Sequence, residues 1–335
     1  MHQARTVAQQ SEVDAMTSKA RFRSCRVCLS LAFTFLLALP GYALGAELHL
    51  REALLEGQRD QVTATITAEI DQLGERAHPL EEDCDLHVPL RSPDIRVPLL
   101  AELKNACSEK PAGTTLSYWS QQIAQEVGVG SVSVTGVFRI WLEHPPPGNQ
   151  VQSEAAPLPA YPHSNPDHQV ELHPLLQIAS LDFRDHVKLI KEGEWYYEGY
   201  GPKELRTVLQ KRLTVQRIGV QGQPYIRIRG AKTGFNHWNL RGRVAEAVRP
   251  LADGVALRLD ILRGNQVVPG AVGLPAVAVA GTAAHTKAQV LAVGDIIEFQ
   301  ALGRLHVPTL LDQAGTDTQQ IPLPIEFVFL DLEVQ

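Results

Sequence analysis

The chain has 335 residues, of which 44% are apolar and 20% charged, and carries a formal net charge of −6. That balance excludes a disordered or collagen-like chain, and the length suffices to bury a core and to hold two domains. Charge is uneven: residues 47–182 hold 8 Lys plus Arg against 20 Asp plus Glu, whereas 183–335 hold 18 against 15, so the two halves are expected to meet different partners, or each other.

Residues 1–46 read as a secretory signal peptide. Lys19, Arg21, Arg23 and Arg26 precede the apolar run LSLAFTFLLALPGYALG, which ends in small residues. Pro40 and Gly41 interrupt the run, and it is short for a membrane-spanning helix of ~20 apolar residues. Cleavage beside Gly45 or Ala46 is expected, with Met16 as an alternative start, giving a secreted or periplasmic protein without a transmembrane segment. Cys25 and Cys28 would leave with the signal, so Cys84 and Cys107 remain. In an oxidising compartment they read as one disulfide worth ~3 kcal/mol. Two buried thiols are the other reading, and a thiolate zinc site is excluded.

Along 47–182, DQVTATITAEI alternates as a first strand, CDLHVPL and IRVPLLAEL form a hairpin across the turn RSPD, and Leu116, Trp119, Ile123 and Val127 recur at helical spacing. SVSVTGVFRIWLEH and HQVELHPLLQIA follow as strands four and five, separated by a proline-rich surface loop at 144–167. A helix between the third and fourth of five strands is the order of an OB-like Greek-key barrel.

Alternation in DCDLHVPL throws Asp83, Asp85 and His87 onto one face and Cys84, Leu86 and Val88 onto the other. In an OB barrel the connection after strand one and that after strand four flank the ligand face. The start of strand two would then meet Glu143 and His144 at the end of strand four, and His168, Glu171 and His173 on strand five. Alternation turns His168 inward and Glu171 and His173 outward. Such a rim suits a divalent metal such as zinc or manganese, or acid and base work on a bound ester. It equally suits the solvated side of a sheet.

In the same order, DCDLHVPL, AELKNAC, VTGVFRIWLEH and VELHPLLQI resemble an uncharacterised family of secreted bacterial proteins with D-x-D-x-H, V-T-G and E-L-H-P motifs. The resemblance covers about 80–178 and implies an OB-like fold and no established activity. Asp83, Asp85, His87, Cys107, Gly136, Glu171, His173 and Pro174 match it. Cys84 between the aspartates, the long fourth loop and the C-terminal extension depart from it.

Residues 183–212, with EGEWYYEGYGP and a proline-opened helix PKELRTVLQKRL, read as a bridge. From 213 to 335 seven short strands predict a second all-β sandwich or barrel, so the fold class is mainly β. Its front is basic, with 13 Lys plus Arg against 4 acids over 203–263. Tyr225, Arg227 and Arg229 share a face, and Trp238 follows, a pattern that holds single-stranded nucleic acid or another anionic polymer. Arginine is also the ordinary solvent-side residue of a strand. No G-x-S-x-G, G-x-x-x-x-G-K or H-E-x-x-H signature is present. The expectation is an exported, non-enzymatic binding or envelope-associated module for a small molecule or polymer. The alternative is a metal-dependent hydrolase, acting on phosphodiesters, at the acidic and imidazole rim.

Overall fold

Alternation decides the first half. The computed structural model describes residues 47–128, 130–153, 158–189, 200–234 and 236–335; the signal peptide expected at 1–46 and the aromatic stretch of the bridge at 190–199 lie outside them. After β1 (Glu47–Arg51) and α1 (Glu52–Gly57) comes β2 (Thr63–Ile70), where Ala64, Ile66 and Ala68 are buried and Thr65, Thr67 and Glu69 exposed. Next are β3 (Leu86–Arg91), β4 (Leu99–Leu103) and α2 (Tyr118–Val127), then β5 (Ser131–His144), β6 (Gln150–Val151), β7 (His168–Ile178) and β8 (Leu181–Asp182).

Five of these strands close a barrel. β2 pairs with β3, β3 with β4, β4 with β7, β7 with β5 and β5 with β2; only β4–β7 is parallel. With α2 between the third and fourth barrel strands, this is the expected OB-like topology. Leu86, Val88, Leu99, Ala101, Phe138, Ile140, Val170 and Leu172 belong to its core.

The second half contains α3 (Pro202–Leu209), β9 (Arg212–Val220), β10 (Gln223–Gly230), β11 (His237–Val244), β12 (Arg249–Leu251), β13 (Gly254–Arg263), β14 (Gln266–Val267) and β15 (Leu274–Val279). Then come α4 (Ala283–Ala288), β16 (Ile296–Leu305), α5 (Val307–Gln313), β17 (Gln319–Pro322) and β18 (Ile325–Val334). Here β11, β13, β15, β18 and β16 pair in that circular order, with β15–β18 alone parallel and α4 between the third and fourth strands. The pairing pattern of the first barrel is therefore repeated.

Register makes the repeat residue-specific. Arg139 on β5 stands opposite Glu171 on β7, and Arg304 on β16 stands opposite Glu326 on β18. Phe138 faces Leu172 as Gly303 faces Phe327, and Ala101 faces Leu172 as Ala276 faces Phe327. The two arginines also bind reciprocally: Arg139 Nε donates to Gly303 O at 2.7 Å, and Arg304 NH1 donates to Phe138 O at 2.8 Å. Each guanidinium caps the residue before the other, so the fourth strands meet about an approximate two-fold axis. Gly303 is required there, because a Cβ would lie 2.9 Å from Trp238 Nε1 and 3.0 Å from the Trp141 ring. Around this contact Val137, Leu176, Leu302, Val328 and Leu330 form an apolar seam.

The described residues from 47 onward, on either side of the bridge expected at 183–212, pack as one unit. β1 is a strand of a sheet ordered β17-β9-β10-β1-β6, with Leu48 opposite Ile228 and Leu50 opposite Ile226. The long loop at 144–167 supplies β6 to the same sheet. A short strand of five residues gains its stability from partners almost two hundred positions away, which alternation alone does not reveal.

Candidate functional site

The outer face of the first barrel turns toward the second half, not toward water. Asp85 is 1% exposed, Glu102 6%, Lys104 0%, Arg139 0%, Glu171 1% and His173 0%. Residues at every second place on β3, β4 and β7 produce this charged face, as the sequence predicts, but the face is buried. Asp85 at the head of β3 accepts from Lys104 Nζ at 2.9 Å and from the Asn105 amide at 3.2 Å. Lys104 Nζ also lies 3.0 Å from His237 Nε2. Arg139 forms short contacts with Glu171 and Asn236. Residues of both halves therefore complete one polar network.

His173 lies at its centre. Nδ1 is 3.1 Å from Glu102 Oε2 and 3.5 Å from Glu171 Oε2, while Nε2 is 3.6 Å from Asp85 Oδ2. Neither ring nitrogen meets hydrogen-bond geometry, although the ring is fully buried. His168 donates to Pro166 O at 2.6 Å through Nδ1 and presents Nε2 to Glu171 Oε1 at 3.2 Å. His168 thus shares the side of Glu171. The expected inward turn fails because the β5–β7 ladder is irregular between Ile140 and His144, opposite this end of β7.

Electrostatics follow from enclosure. Burial opposes charge on His173, but Glu102, Asp85 and Glu171 outweigh it and raise the imidazole to about 9. Burial, reinforced by Glu171 and Asp85, pushes Glu102 up to about 7. Burial also works against a charged Glu171, yet Arg139, His168 and His173 hold it well below the usual carboxylate range. His237 is held well below the imidazole range by burial and by Lys104.

The predicted rim residues gather only in part. Asp85, Glu171 and His173 converge. Asp83 turns to His78, with Asp83 Oδ1 2.7 Å from His78 Nδ1, and His87 packs edge-on against the same ring at 4.5 Å. His144 stacks on His168 at 5.4 Å, while Glu143 is half-buried and falls outside the donor groups formed by the described residues. The reading of this face as a solvated side is corrected by the second half, which covers it. Cys84 and Cys107 form the expected disulfide beside Asp85. Glu102 and Lys104 were the missed partners; AELKN carries them at alternate places, the same signal that exposes Asp83, Asp85 and His87.

The basic front lacks the stacking platform predicted for it. Trp238 is fully buried and Tyr225 is 4% exposed, its hydroxyl donating to Gln152 O at 2.7 Å. Arg229 NH1 lies 3.4 Å from Glu47 Oε1, and Arg227 contacts Gln216 and approaches Glu47. Arg227 and Arg229 face Glu47 on β1, and neither Tyr225 nor Trp238 leaves a ring face for a base.

On the second barrel most of the corresponding outer face is buried in the seam, and one side of it opens onto a pocket. A pocket of about 250 Å³ lies against β13 and β15, bounded by Glu246 and Arg249 from the connection after the barrel's first strand and by His306 from that after its fourth. Arg258, Arg304 and Glu326 line it as well. A larger groove of about 490 Å³ passes over Leu240, Phe299 and Leu332, and neither connection reaches it. No family model matches the chain, and no curated protein matches it either.

Proposed function

We propose that this protein is an exported, non-enzymatic binding module whose ligand site is the pocket on the second barrel. One observation carries the reading: that pocket occupies the face of the OB topology where strands two and three and the two flanking connections receive ligands. Arg59, Arg249, Arg258 and Arg304 line it against Asp60, Glu246 and Glu326, so it favours an anionic group. Among the described residues no Phe, Tyr or Trp lines it, and its volume is below the ~300 Å³ at which drug-sized sites begin. A carboxylate- or phosphate-bearing molecule the size of one sugar fits those terms.

The hydrolase alternative finds less support. A catalytic metal needs a position open to water and substrate. Asp85, Glu171 and His173 are at most 1% exposed, and Lys104 and Arg139 already bind the carboxylates. Export draws support from the Cys84–Cys107 bridge, from the basic and apolar leader, and from the likeness to a secreted family.

Calorimetric titration of the mature chain with small sugar acids and sugar phosphates tests the reading. Saturable binding that Arg258→Glu abolishes without lowering the melting temperature is expected. No binding across the anionic set at millimolar concentration, or metal-dependent phosphodiester cleavage abolished by Glu171→Gln, would overturn it.

A further inference from the structure

The repeat supplies an internal control for the buried network. Anchoring Arg139–Glu171 on Arg304–Glu326 aligns the two barrels through their registers. Glu102 then corresponds to Val277, His173 to Val328, His168 to Leu323, Lys104 to Val279, His87 to Ala256 and Asp85 to Gly254. The Arg–Glu pair recurs in both barrels and belongs to the packing of one against the other. The remaining polar groups do not recur, and the second barrel closes at those positions with aliphatic residues or glycine. Packing alone therefore does not call for two histidines and a further glutamate, whose burial carries a desolvation cost.

We infer that Glu102, His168 and Glu171, with the buried His173 ring against them, hold a divalent cation of the zinc or manganese class, locked at the seam as a structural centre. Donors ~2.0–2.2 Å from a four-coordinate ion stand roughly 3.3–3.6 Å from one another. His168 Nε2 stands 3.2 Å from Glu171 Oε1, while His173 Nδ1 stands 3.1 Å from Glu102 Oε2 and 3.5 Å from the other Glu171 oxygen, Oε2, so Glu171 faces the two rings with different oxygens. Donor atoms of Glu102, His168 and Glu171 all lie within 4.8 Å of one another. His173 gives the independent sign, because its fully buried ring is surrounded by the carboxylates of Glu102, Glu171 and Asp85 at 3.1–3.6 Å without meeting hydrogen-bond geometry to any of them.

Supporting contacts have the form expected around a metal ligand. His168 spends Nδ1–H on the Pro166 carbonyl, which leaves the Nε2 lone pair aimed at the site. Asp85 stands behind His173 Nε2, and Lys104 anchors Asp85. Arg139 orients Glu171 from the opposite oxygen to the one His168 faces. The neighbouring set Asp85, His173 and His237 is a poorer site, because the Lys104 ammonium already lies between Asp85 and His237.

Elemental analysis and native mass spectrometry of the full chain, refolded with zinc or manganese and then gel-filtered, test this. One metal per chain is expected, with X-ray absorption reporting nitrogen and oxygen neighbours at ~2.0–2.2 Å. His168→Leu, which installs the residue of the second barrel, should fold and retain no metal. Should that variant fail to fold, Glu102→Gln should weaken retention at least about tenfold. A wild-type chain that refolds metal-free in the presence of both ions, with an unchanged melting temperature, overturns the inference. Equal metal content in wild type and either variant does so too.

Discussion

The rings of His78 and His87 meet edge to face, with centroids 4.5 Å apart and planes at 78°. Asp83 hydrogen-bonds His78 and raises it to about 9. Burial, helped by the charge on His78, pushes His87 down to about 4. One ring is thus charged and its neighbour neutral at pH 7.

These shifts act on opposite sides of neutrality. The folded-state value of His78 exceeds the ordinary 6.5, so its contribution is complete below pH 6.5 and is lost as pH rises through about 9. His87 is depressed, so its contribution is complete above 6.5 and is lost as pH falls through about 4. Calorimetric melting from pH 3.5 to 9.5 should give a maximum near 6.5. His87→Gln should flatten the acid limb and His78→Gln the alkaline limb; an unchanged acid limb in the first variant contradicts the assignment.

Asp85 and Leu86 illustrate a second consequence. Alternation alone predicts that Leu86→Asp harms the fold more than Asp85→Leu. Both residues are buried, and Asp85→Leu removes the carboxylate that Lys104 Nζ contacts at 2.9 Å, which costs about 3–5 kcal/mol. Urea unfolding should show both variants strongly destabilised. Asp85→Leu with Lys104→Met should recover much of the loss, and no recovery would mean that Lys104 is held mainly by other groups.

The reciprocal arginines predict coupling between barrels. Arg139→Met or Arg304→Met each leaves a buried glutamate without its guanidinium, again costing about 3–5 kcal/mol. Because each arginine also binds the strand that carries the other, the double variant should lose less than the sum by at least about 0.5 kcal/mol. Strict additivity in a double-mutant cycle would show the two contacts to be independent.

Cys84 and Cys107 should resist alkylation until reduced, and replacing both with alanine should cost about 2–4 kcal/mol. Mass measurement after alkylation without reductant checks the first point. Two added labels on the folded chain would contradict it.

The first barrel was legible because one face of each strand is apolar and the elements come in OB order. What lay beyond reach was the nature of the other face. Asp85, Glu102 and His173 alternate as water-facing residues do, and alternation cannot distinguish solvent from a second barrel. The repeat was hidden as well. Its marks are Arg139–Glu171 and Arg304–Glu326, each a cross-strand pair far apart in sequence, while the surrounding positions changed from charged to aliphatic. Glu47–Arg51 was invisible as a sheet strand because its hydrogen-bonding neighbours are β10 and β6.

The seating of β1 between β10 and β6 governs how synthesis and assembly are ordered. Leu48 and Leu50 find their places only after Ile226 and Ile228 have left the ribosome. A strand made early is thus among the last to be secured, and assembly of this sheet waits on the later half of the chain.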